Sequence, residues 1–333
     1  MQKQSFPLWN EAMEMKNLPR AGNDLFIALD IDGTILRHDT TISPRVFDAL
    51  RMHQDLGSRI VLASGRGVYA LQVAAQKCGI TSGFAVCSNG AITVALGDEA
   101  TSASVDSWRI MGSGMASDMY LGSTGKMGAI GDETEREARQ GVRMFDDGFG
   151  LPYRILSVHT FDISRELALL NSALPESYIA VERIDEPRLV SKSFPSGELA
   201  GPYEVVPVEK LFLPDATRLT IRPFDMSADE LQEVVTSLGL HTVEYAIGYS
   251  AWLDISPRGV SKGQALEDIR RGLGIASDFC LAVGDGLNDI EMLEWAGMGV
   301  AMGGARDAVK EKANGVCARV EDDGLADVLE YLL

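Results

Sequence analysis

Five consecutive apolar residues, Leu25 to Leu29, run directly into Asp30-Ile31-Asp32-Gly33-Thr34. An uninterrupted apolar run of this length predicts a strand buried on both faces of a parallel sheet, its carboxyl end opening onto solvent. From Ser43-Pro44 to Leu56-Gly57 the chain has a capping serine, proline at the first helical position, apolar Val46, Phe47 and Leu50, and a terminal glycine, which predicts a helix. Ile60–Ala63 predicts a second strand, Leu71–Lys77 a helix ending at Gly79, and Phe84–Cys87 a third strand. The alternation returns late in the chain: a helix from Gln264 to Arg271, a strand at Phe279–Val283, a helix from Asp289 to Ala296 and a strand at Gly299–Met302. Strands alternating with helices predict an α/β fold with a doubly wound, Rossmann-like parallel sheet, to which the two blocks contribute one half each.

Between residues 92 and 249 the texture differs. Short alternating segments such as Tyr153–Val158 and Arg218–Arg222 are separated by turn residues, with enough apolar content for a separate core. An inserted α+β domain over 92–249 is predicted, leaving 24–91 and 250–333 as the sheet domain. The Gly/Ser-rich stretch Gly112–Gly125 reads as a flexible loop of the insertion, since no basic residue or helix signature accompanies it. Residues 1–23 carry Lys3, Glu11, Glu14, Lys16 and Arg20 without a sustained apolar core. They predict an extension with a short docking helix rather than a signal peptide, and no later run approaches membrane-spanning length.

Composition narrows the partners. The 333 residues are 46% apolar and 23% charged, as in soluble globular proteins. A formal charge of −18 leaves no excess of Lys or Arg for nucleic acid or an anionic membrane, so an anionic substrate needs a local positive site. Cys78, Cys87 and Cys280 lie in apolar or helix-end positions, and the four cysteines form no CxxC pair, which predicts buried free thiols and a cytoplasmic location. His38, His53, His159 and His241 show no paired spacing, so a zinc site is not expected.

The candidate chemistry gathers at strand ends. Asp30 and Asp32, two residues apart, repel each other, and keeping both ionised calls for a cation; hard oxygen donors favour Mg²⁺. One acid can attack phosphorus while the other moves protons. Ser64-Gly65, after the second strand and before a helix, offers a hydroxyl and free N–H groups to an anion. Gly65-Arg66-Gly67-Val68-Tyr69-Ala70 also matches a dinucleotide fingerprint, but the next strand ends in Cys87-Ser88-Asn89, without the acid that would hold a ribose. Lys262 precedes a helix and reads as either a solvated charge or a phosphoryl-stabilising cation. Gly284-Asp285-Gly286-Leu287-Asn288-Asp289 sets two acids and an amide in a turn at the same sheet edge as Asp30.

Taken in order, Asp30-x-Asp32-Gly-Thr34, Ser64-Gly-Arg66, Lys262 and Gly-Asp285-Gly-Leu-Asn288-Asp289 resemble the haloacid dehalogenase superfamily. The large insertion, the Ser88-Asn89-Gly90 step and the run Gly299–Gly303 are similar to its Cof-type phosphatases, class IIB. The resemblance implies Asp30 as nucleophile and Mg²⁺ ligand, and Asp32 as general acid/base giving its backbone carbonyl to the metal. It implies Thr34 and Ser64 as phosphoryl-binding, Lys262 as the neutralising cation, and Asp285 as the further metal ligand. Asn288 would contact phosphate, Asn89 the substrate or the insertion, and Asp289 would orient metal-bound water or Lys262; Arg66 carries no uniform role. The acid at Asp32 disfavours dehalogenation, and missing membrane spans disfavour a cation pump. The implied activity is Mg²⁺-dependent hydrolysis of a small phosphomonoester, such as a sugar phosphate, through an aspartyl-phosphate. A phosphomutase or phosphotransferase and a non-catalytic phosphometabolite-binding regulator are the alternatives. By the same resemblance the insertion would act as a cap that selects the leaving group, and its length and the N-terminal extension depart from the family pattern.

Overall fold

The structure, a computed structural model, describes residues 6–102, 142–145, 148–184, 187–196, 198–199, 201–240, 243–247 and 251–333. Strand β1 (Phe26–Leu29) lies between β2 (Arg59–Ala63) and β13 (Cys280–Gly284), parallel to both, with Leu29 level with Leu62 and Val283. Beyond β2 lies β3 (Gly83–Cys87), and beyond β13 lie β14 (Met298–Ala301) and β15 (Gly315–Val316), all parallel. The early and late blocks therefore close into one sheet whose carboxyl ends share an edge. Alternate residues of β1 explain its continuous apolar run: Ile27 and Leu29 join one apolar cluster, Phe26 and Ala28 the other. One face is covered by the helices Pro44–Asp55 and Gly324–Leu332, the other by Lys262–Leu273.

The sheet continues past β3 through β4 (Ile92–Leu96), β6 (Tyr153–Val158) and β5 (Val142–Arg143), each antiparallel to its neighbour. The predicted boundary at residue 92 thus falls inside the large sheet. Ile92–Leu96 is buried throughout, and an antiparallel partner can follow β3 after a four-residue turn, with no crossover helix to mark it in the sequence. The other boundary moves as well, because β12 (Leu253–Pro257), expected in the sheet domain, belongs to a second sheet.

That second sheet has the order β11 (Val243–Ile247), β12, β10 (Arg218–Arg222), β7 (Tyr178–Glu182), β8 (Arg188–Val190), β9 (Tyr203–Val205). Helices Ser164–Ala173 and Ala228–Leu238 pack Leu167, Leu170, Leu231 and Val235 onto Ile179, Val181, Leu219, Ile221, Leu253 and Ile255. Strand alternation sends Glu182, Arg218, Thr220, Asp254 and Ser256 to the opposite face. The Gly112–Gly125 loop expectation lies outside the described residues.

The N-terminal segment docks on the sheet. Val316 N–H donates to the Pro7 carbonyl at 2.9 Å, Trp9 meets Tyr331 edge-on, and Ala12 and Met13 of the helix Trp9–Glu14 enter the core. It covers β15, which would otherwise be an open sheet edge. All four cysteines are buried and free, and burial pushes the thiols of Cys78, Cys280 and Cys317 up to about 12. His53 is fully buried between Ser58 Oγ and the Leu329 carbonyl, 2.9 Å from each, where it ties two helices together.

Candidate active site

The carboxyl ends of β1 and β13 are adjacent, so Asp30, one residue past β1, and Asp285, one residue past β13, meet there. Gly33 makes this approach possible: its φ is +86°, and a Cβ on it would lie 2.3 Å from Asp285 Oδ2. Lys262 is the first residue of its helix, capped by Ser261, and it has no solvent exposure. Of its two readings as a sequence feature, the solvated surface charge does not hold. Its Nζ donates to Asp30 Oδ1 at 2.7 Å and to Asp289 Oδ1 at 2.6 Å. Asp289 Oδ2 accepts from the backbone N–H groups of Asp285 (3.0 Å) and Gly286 (2.8 Å), so both Asp289 oxygens are engaged in holding the turn and the lysine.

The electrostatics follow from burial. Asp30 is pushed from its ordinary 3.8 to about 7, chiefly by burial and then by the charge of Asp289, with Lys262 opposing. Asp285 is pushed up to about 9, again by burial first and then by Asp30 and Asp289. Burial alone would lower Lys262, but Asp289 and Asp30 outweigh it and hold the ammonium charged. Oxygens of Asp30, Asp285 and Asp289 lie within 4.8 Å of one another, a grouping able to hold a metal ion. Asp289 is bonded through both oxygens, whereas Asp30 Oδ2 and the two Asp285 oxygens accept no hydrogen bond among the described residues and are the freer ligands. A hard-oxygen pair in which both carboxyls are pushed toward protonation suits a divalent cation, which would replace the protons.

Around this centre, Thr34 Oγ1 is buried without a hydrogen-bond partner among the described residues, which leaves its hydroxyl able to donate to a bound anion. Ser64 is buried after β2, its Oγ accepting from Arg66 N–H at 3.1 Å. Gly65 lies under Asn89, whose Oδ1 accepts from Asn288 Nδ2 at 2.9 Å. Ser88 and Asn89 both have left-handed backbones, φ +50° and +56°, a costly conformation for side-chain-bearing residues that here turns Asn89 toward the Asp285 loop. Asp32 stands apart from the buried cluster. Its side chain is 55% exposed and gripped by Arg66, with Nη2 to Oδ1 at 2.6 Å and Nε to Oδ2 at 2.7 Å. Arg66, without a uniform role by resemblance, is thus the residue that orients Asp32.

The second sheet reaches the same edge. A Cβ on Gly67 would lie 2.3 Å from Glu182 Oε2, so the glycine is needed for this contact. The Glu182 carboxylate also occupies the start of the helix Val68–Lys77, where the dinucleotide fingerprint would need to seat a pyrophosphate. Glu182 accepts from Arg188 at 2.8 Å and from Arg218 at 3.3 Å, and despite burial these partners keep its carboxyl below the usual range. No motif marked Glu182, Arg218 or Asp254; the only sequence signal was the polar alternation Arg218-x-Thr220-x-Arg222.

A family model for haloacid dehalogenase-like hydrolases matches residues 27–107 and 212–329. Fold, site and this match define the class: the chain belongs to the haloacid dehalogenase-like hydrolases. It is 28% identical to phosphatase YwpJ of Bacillus subtilis (strain 168), over 92% of this chain and 99% of that protein. It is 25% identical to the 5-amino-6-(5-phospho-D-ribitylamino)uracil phosphatase YitU of the same organism, over 91% and 96%. Among solved structures, a haloacid dehalogenase-like hydrolase from B. subtilis superposes with a TM-score of 0.65 at 21% identity, covering 92% of this chain and 99% of that one. A subclass IIB sugar phosphatase gives 0.64 at 19%, covering 93% and 100%, and shares the fold. Within the family, the chain is a phosphatase of the Cof type. No helix among the described residues is long and apolar enough to cross a membrane.

Proposed function

We propose that this enzyme hydrolyses a small soluble phosphomonoester, a sugar or polyol phosphate, through an aspartyl-phosphate on Asp30 with Mg²⁺ as cofactor. The observation that carries the reading is Lys262, wholly buried and bonded to both Asp30 and Asp289. A buried ammonium at this edge supplies the local positive site that the −18 chain otherwise lacks. Asp30 Oδ1 is held by Lys262, which aims the other oxygen at phosphorus. As the Asp30–phosphorus bond forms, the ester bond breaks and Asp32 gives a proton to the departing alcohol oxygen. Asp32 then takes a proton from water, whose oxygen attacks phosphorus and releases phosphate and free Asp30. Arg66 holds Asp32 in position for both transfers. Thr34, Ser64, the N–H of Gly65, Asn89 and Asn288 bind phosphoryl oxygens. Asp30, Asp285 and the Asp32 backbone carbonyl would hold Mg²⁺, which when bound supplies positive charge to the phosphoryl oxygens. The relative YitU is named for the phosphate of a ribitylamino chain, a polyol phosphate, which supports the substrate class.

The test is a panel of phosphorylated metabolites assayed with Mg²⁺ for stoichiometric phosphate release. Isomerised substrate without release would replace the hydrolase with a mutase.

A second expectation concerns pH. Carboxyls raised to about 7 (Asp30) and about 9 (Asp285) when folded favour the folded state fully below about pH 4. That contribution is lost as pH rises through those two values. Metal-free protein in EDTA should therefore melt at progressively lower temperature from pH 5 to 9. Mg²⁺ should raise the melting temperature, and by more at pH 8 than at pH 6. Equal shifts at both pH values would remove Asp30 and Asp285 from the metal site.

A further inference from the structure

The helix-free face of the second sheet is arranged in rows set by strand register. Arg218 is level with Glu182, and the pairing of Leu219 with Ile255 sets Ser256 on the other side of Arg218. This row touches the catalytic edge: Ser256 Oγ approaches the Ser88 carbonyl at 3.5 Å, and Glu182 covers Gly67. The next row, about 7 Å farther along the strands, contains Asp254, Thr220 and Ala180. Asp254 Oδ1 accepts three hydrogen bonds, from Arg218 Nε (3.0 Å), Arg218 Nη2 (2.6 Å) and Thr220 Oγ1 (2.8 Å). Its Oδ2 accepts none among the described residues, and the side chain keeps 18% of its exposure.

A carboxylate oriented by three donors on one oxygen presents the other as a fixed acceptor. Arg188 and Arg218 together balance the charges of Glu182 and Asp254, so the free oxygen calls for a neutral donor rather than a cation. We infer that Asp254 is a specificity-determining residue whose Oδ2 accepts a hydrogen bond from a hydroxyl of the leaving group. The leaving group is then an uncharged polyol-type alcohol long enough to pass the Ser256–Arg218–Glu182 row. This rests on the phosphatase reading above.

The test compares ribitol 5-phosphate with n-pentyl phosphate, a chain of the same length without hydroxyls. The unaltered enzyme should prefer the ribitol ester in kcat/KM. Asp254→Asn keeps an oxygen for Arg218 and replaces the acceptor by a donor, and it should narrow that preference by about 10- to 100-fold, the range for a hydrogen bond to a charged group. Thr220→Val, which removes one orienting donor and no charge, should narrow it less. If Asp254→Asn lowers both esters in proportion, or the unaltered enzyme shows no preference, Asp254 only supports the sheet and the inference fails. If the unaltered enzyme releases phosphate from neither ester, the phosphatase reading falls, and this inference with it.

Discussion

Asp30→Asn is expected to lower kcat by about 10⁴-fold or more, with folding intact. A carboxamide has the carboxylate's shape and can still accept from Lys262 through its oxygen, but it lacks the charged oxygen that must bond to phosphorus. Stability should change little or rise, because the substitution removes a buried carboxyl that burial and Asp289 already push toward protonation. Thermal melts in EDTA and single-turnover phosphate release measure the two effects separately. Turnover above a few per cent of the parent would mean that Asp30 is not the nucleophile.

Lys262→Met should inactivate the enzyme and also destabilise it. Methionine fills much the same volume but leaves Asp30 and Asp289 buried without their shared cation. Removing one partner from a buried ion pair costs about 3–5 kcal/mol. The loss has a defined pH dependence. Without Lys262 the carboxyl of Asp30 rises further, so the folded state is favoured at low pH and penalised as pH climbs through the raised value. Denaturant melts should therefore show a smaller deficit at pH 5 than at pH 8. Lys262→Arg separates charge from geometry, since a planar fork does not fit between two oxygens at 2.7 and 2.6 Å from one nitrogen. An equally small deficit at both pH values for Lys262→Met would show that the lysine is not the charge partner of the pair.

The parallel sheet and the candidate site at its carboxyl edge were legible because they are written in local code. An apolar run ending in acids predicts a buried strand with ligands at its mouth, and two such runs, Leu25–Asp32 and Phe279–Asp289, sit side by side in the fold. The domain boundaries were less legible. Ile92–Leu96 is as apolar as β1, but an antiparallel neighbour needs no crossover helix and so leaves no sign of which sheet it joins. Leu253–Pro257 lies just past the predicted bound at 249, yet it alternates like the insertion's other strands and pairs with β10 and β11.

The sequence by itself determined the α/β class, and it named the acids, hydroxyls and lysine that are the candidates for the site and the chemistry proposed for them. Each depends on a residue's type and its neighbours along the chain, which a pattern can record. Tertiary structure alone decided that Lys262 is buried rather than solvated, that Arg66 grips Asp32, and that Asp254 stands on the face turned toward the catalytic edge. Those facts depend on register between strands far apart in sequence, where a two-residue period fixes which side chains share a face and no short motif records the partner.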